Sequence, residues 1–141
     1  MKPKLILMSH GQLAEQLRQS AEMIVGDIED VYTVCMSDSD GLKGISQKLQ
    51  LVFDDIGIHE PVVIIADMMA GTPGNVAFGA MLNQDHVRVV TGLNLPMVIE
   101  YAVSDEDDLD QMSTFLCTVG IEAIRTLEKP PRTSGEEGYE D

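Results

Sequence analysis

Short apolar runs alternate along this chain with longer stretches in which apolar residues recur every three or four positions. Leu5-Ile6-Leu7-Met8 sits in a predicted strand, Lys4 to Met8. A helix follows from near Gln12, with Leu13, Leu17, Ala21, Ile24 and Val25 at helical spacing and Gly26 to end it. Val31 to Cys35 reads as a second strand. Leu42, Ile45, Leu49, Val52, Phe53 and Ile56 mark the buried face of a second helix, closed by Gly57. Pro61 opens Val62 to Ala66, an unbroken apolar run of the kind buried on both faces of a parallel sheet. A short helix, Asn75 to Leu82, and a fourth strand, Val87 to Val90, come next. Asn94 suits an N-cap and Pro96 the first turn of a helix to about Ser104. The last helix is expected from Leu109 to Leu127, with Leu109, Met112, Leu116, Gly120, Ile124 and Leu127 on one apolar or close-packed face.

Strands that alternate with helices predict an α/β fold: one doubly wound domain, a mostly parallel sheet with helices on both faces, flavodoxin-like in layout. The chain has 141 residues, enough for one domain, and no internal repeat. Residues 1–128 are expected to form it, and 129–141 a flexible acidic tail rich in Pro, Ser and Gly. In such a fold strand order reverses between the first and third strands, and ligands bind beyond the carboxyl ends of the strands at that switch point.

Charge narrows the partners. The formal net charge of -15 argues against nucleic acid and an anionic membrane surface, and suits a partner with a basic patch. Cys35 and Cys117 form no CxxC and are expected to be small buried hydrophobes. With no signal peptide and no apolar run long enough to span a bilayer, a cytoplasmic location is expected.

The candidate chemistry lies at two strand ends. His10 closes the first strand. Asp67 closes the third and is followed by Met68-Met69-Ala70-Gly71-Thr72-Pro73-Gly74-Asn75. A neutral imidazole can attack phosphorus through one free nitrogen. Asp67 would accept a hydrogen bond from the other ring N–H and fix the tautomer. Backbone N–H groups of the Ala70 to Gly74 loop, with Gly71 and Gly74 free in their dihedrals, would meet the phosphoryl group, helped by the Thr72 hydroxyl. Gly11 allows close approach, and the helix near Gln12 offers unpaired N–H groups. The scheme needs no metal and no cofactor.

Taken singly these residues are weak signals, since a strand-end His or Asp is commonly structural and Gly-Thr-Pro-Gly commonly a turn. Together, at matching strand ends, they are specific. His59 and His86 fall away from the carboxyl ends and read as structural. Asp105 to Asp110 reads as a solvated helix start. Met68 and Met69 fit either a partner-docking surface or the core.

Ser9-His10-Gly11, Ala14-Glu15-Gln16-Leu17, Ala21-Glu22-Met23, Asp67 with Gly71-Thr72-Pro73 and Asn75, and Thr91-Gly92-Leu93-Asn94-Leu95-Pro96-Met97 occur in this order. From Lys4 to Leu127 the chain resembles the IIA component of the mannose-type (mannose/fructose/sorbose) family of the bacterial phosphoenolpyruvate-dependent sugar phosphotransferase system. The resemblance implies a phosphoryl carrier. His10 would accept phosphate on Nε2 from the phosphocarrier protein HPr and pass it to a IIB component, which phosphorylates a sugar imported by membrane IIC and IID components. Asp67 would orient the ring. Gly11, Gly71 and Thr72 would hold the phosphoryl group, and the Gly92 to Pro96 turn would shape the rim. The family usually forms homodimers. Many members carry glycine where Ala70 stands and an aromatic residue at the position of Met69 or Gly74, a departure that bears on partner preference. With no fused IIB domain, a separate IIB subunit is expected. A regulatory binding protein that uses the same phosphohistidine is the alternative. A receiver domain is disfavoured because Ser9-His10 stands where an acidic pair would hold magnesium, and a flavin module because the loops lack aromatic residues.

Overall fold

The computed structural model describes residues 1–132. Strands β1 (Lys4–His10), β2 (Val31–Met36), β3 (Val62–Ala66) and β4 (Val87–Thr91) alternate with helices α1 (Leu13–Val25), α2 (Gly41–Ile56) and α3 (Thr72–Asn83). Helices α4 (Leu95–Val103) and α5 (Leu109–Glu122) complete the described chain. The pairings are parallel, in the order β2-β1-β3-β4. β1 and β3 are therefore neighbours, and the register sets Met8 beside Ala66. The expected switch point exists, and it brings together strand ends nearly sixty residues apart in sequence.

Side-chain alternation divides the core into two layers. Leu5 and Leu7 pack with Ala14, Ala21, Met97, Tyr101, Met112 and Leu116 on the α1, α4 and α5 side. Ile6 and Met8 pack with Ile45, Leu49, Val76 and Ala77 on the α2 and α3 side. Every residue of β3 is buried, as its unbroken apolar run predicted. The same alternation decides where the end of β1 points. Ser9 continues the Leu5–Leu7 face and is fully buried. His10 continues the Ile6–Met8 face toward α3.

Three expectations need correction. α5 stops at Glu122 rather than Leu127, because Ile124 and Leu127 meet no core: they are 76% and 92% exposed. Gly120 is close-packed as expected, for a Cβ there would lie 2.8 Å from Met97 Sδ. α3 begins at Thr72 rather than Asn75, since Gly71 takes the N-cap with φ 97° and Pro73 suits the first turn. Cys117 is exposed, being turned away from the Met112–Leu116–Gly120 face, and Cys35 is only partly buried. Of the expected tail, 129–132 is exposed and without helix or strand, and 133–141 lies outside the described residues. No helix among the described residues is long and apolar enough to cross a membrane.

Tyr101 ties α4 to the start of the chain. Its buried hydroxyl donates to the Pro3 carbonyl at 2.5 Å. Burial pushes the phenol well above its ordinary pKa. A raised folded-state pKa means that this stabilisation is fully present below about pH 10, the ordinary tyrosine value, and is lost as pH rises beyond it. Tyr101→Phe is expected to cost about 1 kcal/mol at pH 7 and to weaken the alkaline loss of stability, both measured by urea unfolding at pH 7 and 11. An alkaline profile equal to that of wild type would contradict this assignment.

Candidate functional site

The site is built where the β1–β3 ladder runs out. The Asp67 N–H donates to the Met8 carbonyl at 2.9 Å. The next donor along, the His10 N–H, meets a side chain instead of a main-chain carbonyl: it donates to Asp67 Oδ2 at 2.9 Å. The same Oδ2 lies 2.9 Å from His10 Nδ1. An ionised carboxylate only accepts, so Nδ1 carries a ring proton, and in the neutral imidazole Nε2 keeps its lone pair. The other oxygen, Oδ1, accepts the Met68 N–H at 2.9 Å. With three donors on two oxygens, the carboxylate is fixed in position. Its side chain is 9% exposed, whereas the imidazole is 43% exposed.

Nε2 faces the start of α3. A Cβ on Gly71 would fall 2.9 Å from His10 Cε1 and 3.0 Å from Nε2, so only glycine lets the backbone lie against the ring. The φ of 97° separately favours glycine. Gly71 is the N-cap of a 12-residue helix, and Thr72, half-buried, follows it. By helix geometry the first N–H groups of α3 have no intrahelical acceptor, Pro73 having none to offer. A helix start with unpaired donors beside a bare imidazole nitrogen suits an oxyanion held at Nε2.

Supporting residues surround this pair. Gly11 turns with φ 56°, and its N–H donates to the Met36 carbonyl at 2.8 Å, which ties that amide to the sheet. Ser9 was not among the candidate site residues in the sequence, and it matters here. Its Oγ accepts the Ala14 N–H at 2.8 Å and donates to the Gly11 carbonyl at 3.3 Å, closing the β1–α1 turn while Gln12 makes no side-chain cap. A small hydroxyl residue at a strand's end, five before a helical N–H, was the available signal. The Ala66 carbonyl accepts the N–H groups of Gly92 and Leu93, so the Gly92–Pro96 turn braces the residue before Asp67. Asn94 accepts from the Met97 N–H and donates to the Gly120 carbonyl.

No Lys or Arg bonds to His10 or Asp67 among the described residues. Lys48, which reaches the end of β2, donates to the Cys35 carbonyl and to Asp40. That bond, followed by the Ser37 N–H, holds the Asp40 carboxyl below its usual range. Met68 and Met69 are both on the surface, 50% and 79% exposed. Beside them opens a groove of about 470 Å³ lined by Met69, Phe78, Met81 and Val89. His59 and His86 pack edge to face at the opposite end of the sheet, and Asp108 and Asp110 cap α5 and pair with Arg88.

The family model described as PTS system fructose IIA component matches residues 4–116. The chain belongs to that family. It is similar to the mannose/sorbose-specific IIA subunit of the phosphotransferase system from Enterococcus faecalis, at 44% identity and a TM-score of 0.89 over 94% of this chain and all of that one. It is 26% identical over 135 residues to the sorbose-specific EIIA component of Lacticaseibacillus casei, covering 95% of this chain and 97% of that protein. The mannose-specific EIIAB component of Escherichia coli K12 is 26% identical over 129 residues, 90% of this chain and 40% of that longer protein. This IIA component thus spans well under half of that two-part relative.

If Asp67 alone fixes the ring, Asp67→Asn must release it. An amide can replace Oδ2 as acceptor, but its NH2 then faces the Met68 N–H, donor against donor. Nitrogen-15 NMR of His10 is expected to show one Nδ1–H tautomer in wild type and a mixture in Asp67→Asn. A mixture already present in wild type would sink this account of the site.

Proposed function

We propose that this IIA component is a phosphoryl carrier of the sugar phosphotransferase system, with His10 as the phosphorylated residue. One observation carries the reading: Nδ1 is tied to a fixed carboxylate while Nε2 is left bare beside the N-cap of α3. The Nε2 lone pair attacks the phosphorus of phospho-HPr. The Nε2–P bond forms as the donor's P–N bond breaks and its electron pair returns to the donor ring. A separate IIB component then takes the phosphoryl group from Nε2 by the same in-line displacement. Asp67 orients the ring and balances the charge that develops on it. Gly71 lets the group approach the α3 start, and Thr72 supplies a hydroxyl. Gly11 contributes its turn to the phosphate site. Positioning and N–H donors, with no metal or cofactor, carry the transfer.

The cargo of the system is a sugar of the mannose, sorbose or fructose group, taken up through membrane IIC and IID components, and the carrier works in the cytoplasm. It works as a homodimer. Support for self-association comes from Ile121, Ile124 and Leu127, apolar and more than two-thirds exposed at the end of α5, and from β4, an edge strand of the described sheet.

Phosphotransfer from phosphoenolpyruvate through enzyme I and HPr tests the chemistry. Wild type is expected to take up an acid-labile, base-stable label and His10→Ala none. An unlabelled wild type in the presence of active cognate HPr would overturn the carrier reading, and a label that survives in His10→Ala would move it to another residue. Sedimentation equilibrium is expected to give twice the 15.4 kDa chain mass.

A further inference from the structure

The methionines of this chain divide sharply by exposure. Met8, Met97 and Met112 are buried in the core, whereas Met68 and Met69 stand side by side on the surface. Their loop is the one that builds the site. The Met68 N–H donates to Asp67 Oδ1, and the Gly71 backbone lies against the His10 ring. Met69 is two residues from Asp67 and two from Gly71, and two residues span at most about 7 Å. It also lines the groove shared with Phe78, Met81 and Val89. Any protein that brings a phosphoryl group in line with Nε2 must cover this rim, and the thioether of Met69 is then pressed against it.

We propose that Met69 is a modification site: hydrogen peroxide converts its thioether to the sulfoxide, and the sulfoxide weakens docking of the phosphoryl donor without disturbing the His10–Asp67 pair. The chemistry balances. A sulfur lone pair attacks one peroxide oxygen, the S–O bond forms as the O–O bond breaks, and the other oxygen leaves as water. Sulfur is oxidised by two electrons and the peroxide is reduced. A thioether has no proton to lose, so access decides which methionine reacts. The product is a polar, chiral group in place of a flexible apolar one. Its oxygen is a strong acceptor that must shed water when a partner closes over it, at a cost where no donor meets it. The Asp67 carboxylate is held by main-chain donors and by the His10 ring, none of which involves the Met69 side chain. The inference rests on the carrier reading for the identity of the donor.

The test separates docking from chemistry. Wild type, Met69→Leu and Met23→Leu are treated with hydrogen peroxide, then with dithiothreitol to restore oxidised thiols, and the sulfoxides are mapped by mass spectrometry. Each protein is compared with its own untreated form. Met23 controls for exposure, since it is 88% exposed near the end of α1, which leads to the opposite edge of the sheet. Treated wild type is expected to carry sulfoxide at Met69. Its KM for phospho-HPr should rise about 10-fold, the scale of losing one or two methylene contacts at an interface, with kcat little changed. Its rate with phosphoramidate, a small donor that needs no docking, should not change. Met69→Leu keeps both cysteines and Met23, and its KM is expected to withstand peroxide, whereas that of Met23→Leu rises as in wild type. Methionine sulfoxide reductases for both epimers are expected to restore the KM of treated wild type. The proposal is overturned by an unchanged KM in wild type oxidised at Met69, by a Met69 that peroxide leaves intact, by a Met69→Leu protein that is not protected, or by an equal fall in the phosphoramidate rate. An untreated wild type that takes no label from phospho-HPr fails the carrier reading and this proposal together, and that outcome shows before any peroxide is added.

Discussion

A parallel sheet must end somewhere, and where β1 ends next to β3 one main-chain donor has no carbonyl to meet. The Asp67 carboxylate takes that place for the His10 N–H and, with the same oxygen, holds the His10 ring. One residue's backbone and side chain are thus bonded to a single atom. This fixes the imidazole relative to the sheet rather than to a loop, so the precision of the site is that of the β1–β3 register. The rest of the site answers to it: Ser9 and Met36 hold the turn on one side, and the Gly92–Leu93 amides hold Ala66 on the other. Removing the carboxylate leaves a main-chain donor and a ring donor unpaired at once, which is why its loss cannot be made good by a neighbour.

The electrostatics of the proposed carrier follow from what meets Nε2. No Lys or Arg bonds to His10 or Asp67 among the described residues, and Lys48 is already paired with Asp40. Favourable interaction with a phosphoryl group then comes from backbone donors at the α3 start. A helix terminus amounts to roughly half a charge, whereas a phosphoryl group adds about -1.5 to -2. The phosphorylated state is therefore only partly neutralised by its own protein. For a carrier that is an advantage, since a group held by several cations would be slow to leave. A partner with a basic patch would be attracted by the chain's charge of -15 and would complete the neutralisation during transfer.

Periodicity made the four strands, their order of appearance and the two-sided burial of β3 legible, because a run such as Val62–Ala66 has one stable place in an α/β fold. The His10–Asp67 pair was legible for the same reason: once the strands are placed, the switch point chooses the residues. What escaped depended on atoms that no pattern encodes. Gly71-Thr72-Pro73 reads as a turn, and its identity as an N-cap and first helical turn emerges only when Gly71 is seen against the His10 ring. Ile124 and Leu127 continue the periodicity of α5, yet the sheet ends before they can pack, so an apolar pattern outran its core. Cys117 reads as buried by composition and is exposed because α5 turns its Met112–Leu116–Gly120 stripe, not Cys117, to α4 and the sheet. Ser9 continues the Leu5–Leu7 alternation but is polar, so its buried place became legible only through its bonds to the Ala14 N–H and the Gly11 carbonyl.

Glycine in such a loop is commonly read as flexibility, and here two glycines argue the reverse. A ring lies against Gly71, and two carbonyls lie against Gly74. Each marks a place where backbone has been brought into contact with something rigid. A carrier that exchanges one phosphoryl group with two different proteins benefits from this, since each partner meets a site already formed and ordering entropy is not lost anew in each encounter. The loop after Asp67 is accordingly part of the scaffold. Its adaptable surface is confined to the Met68 and Met69 side chains, which can repack against unlike partners without disturbing the peptides beneath them.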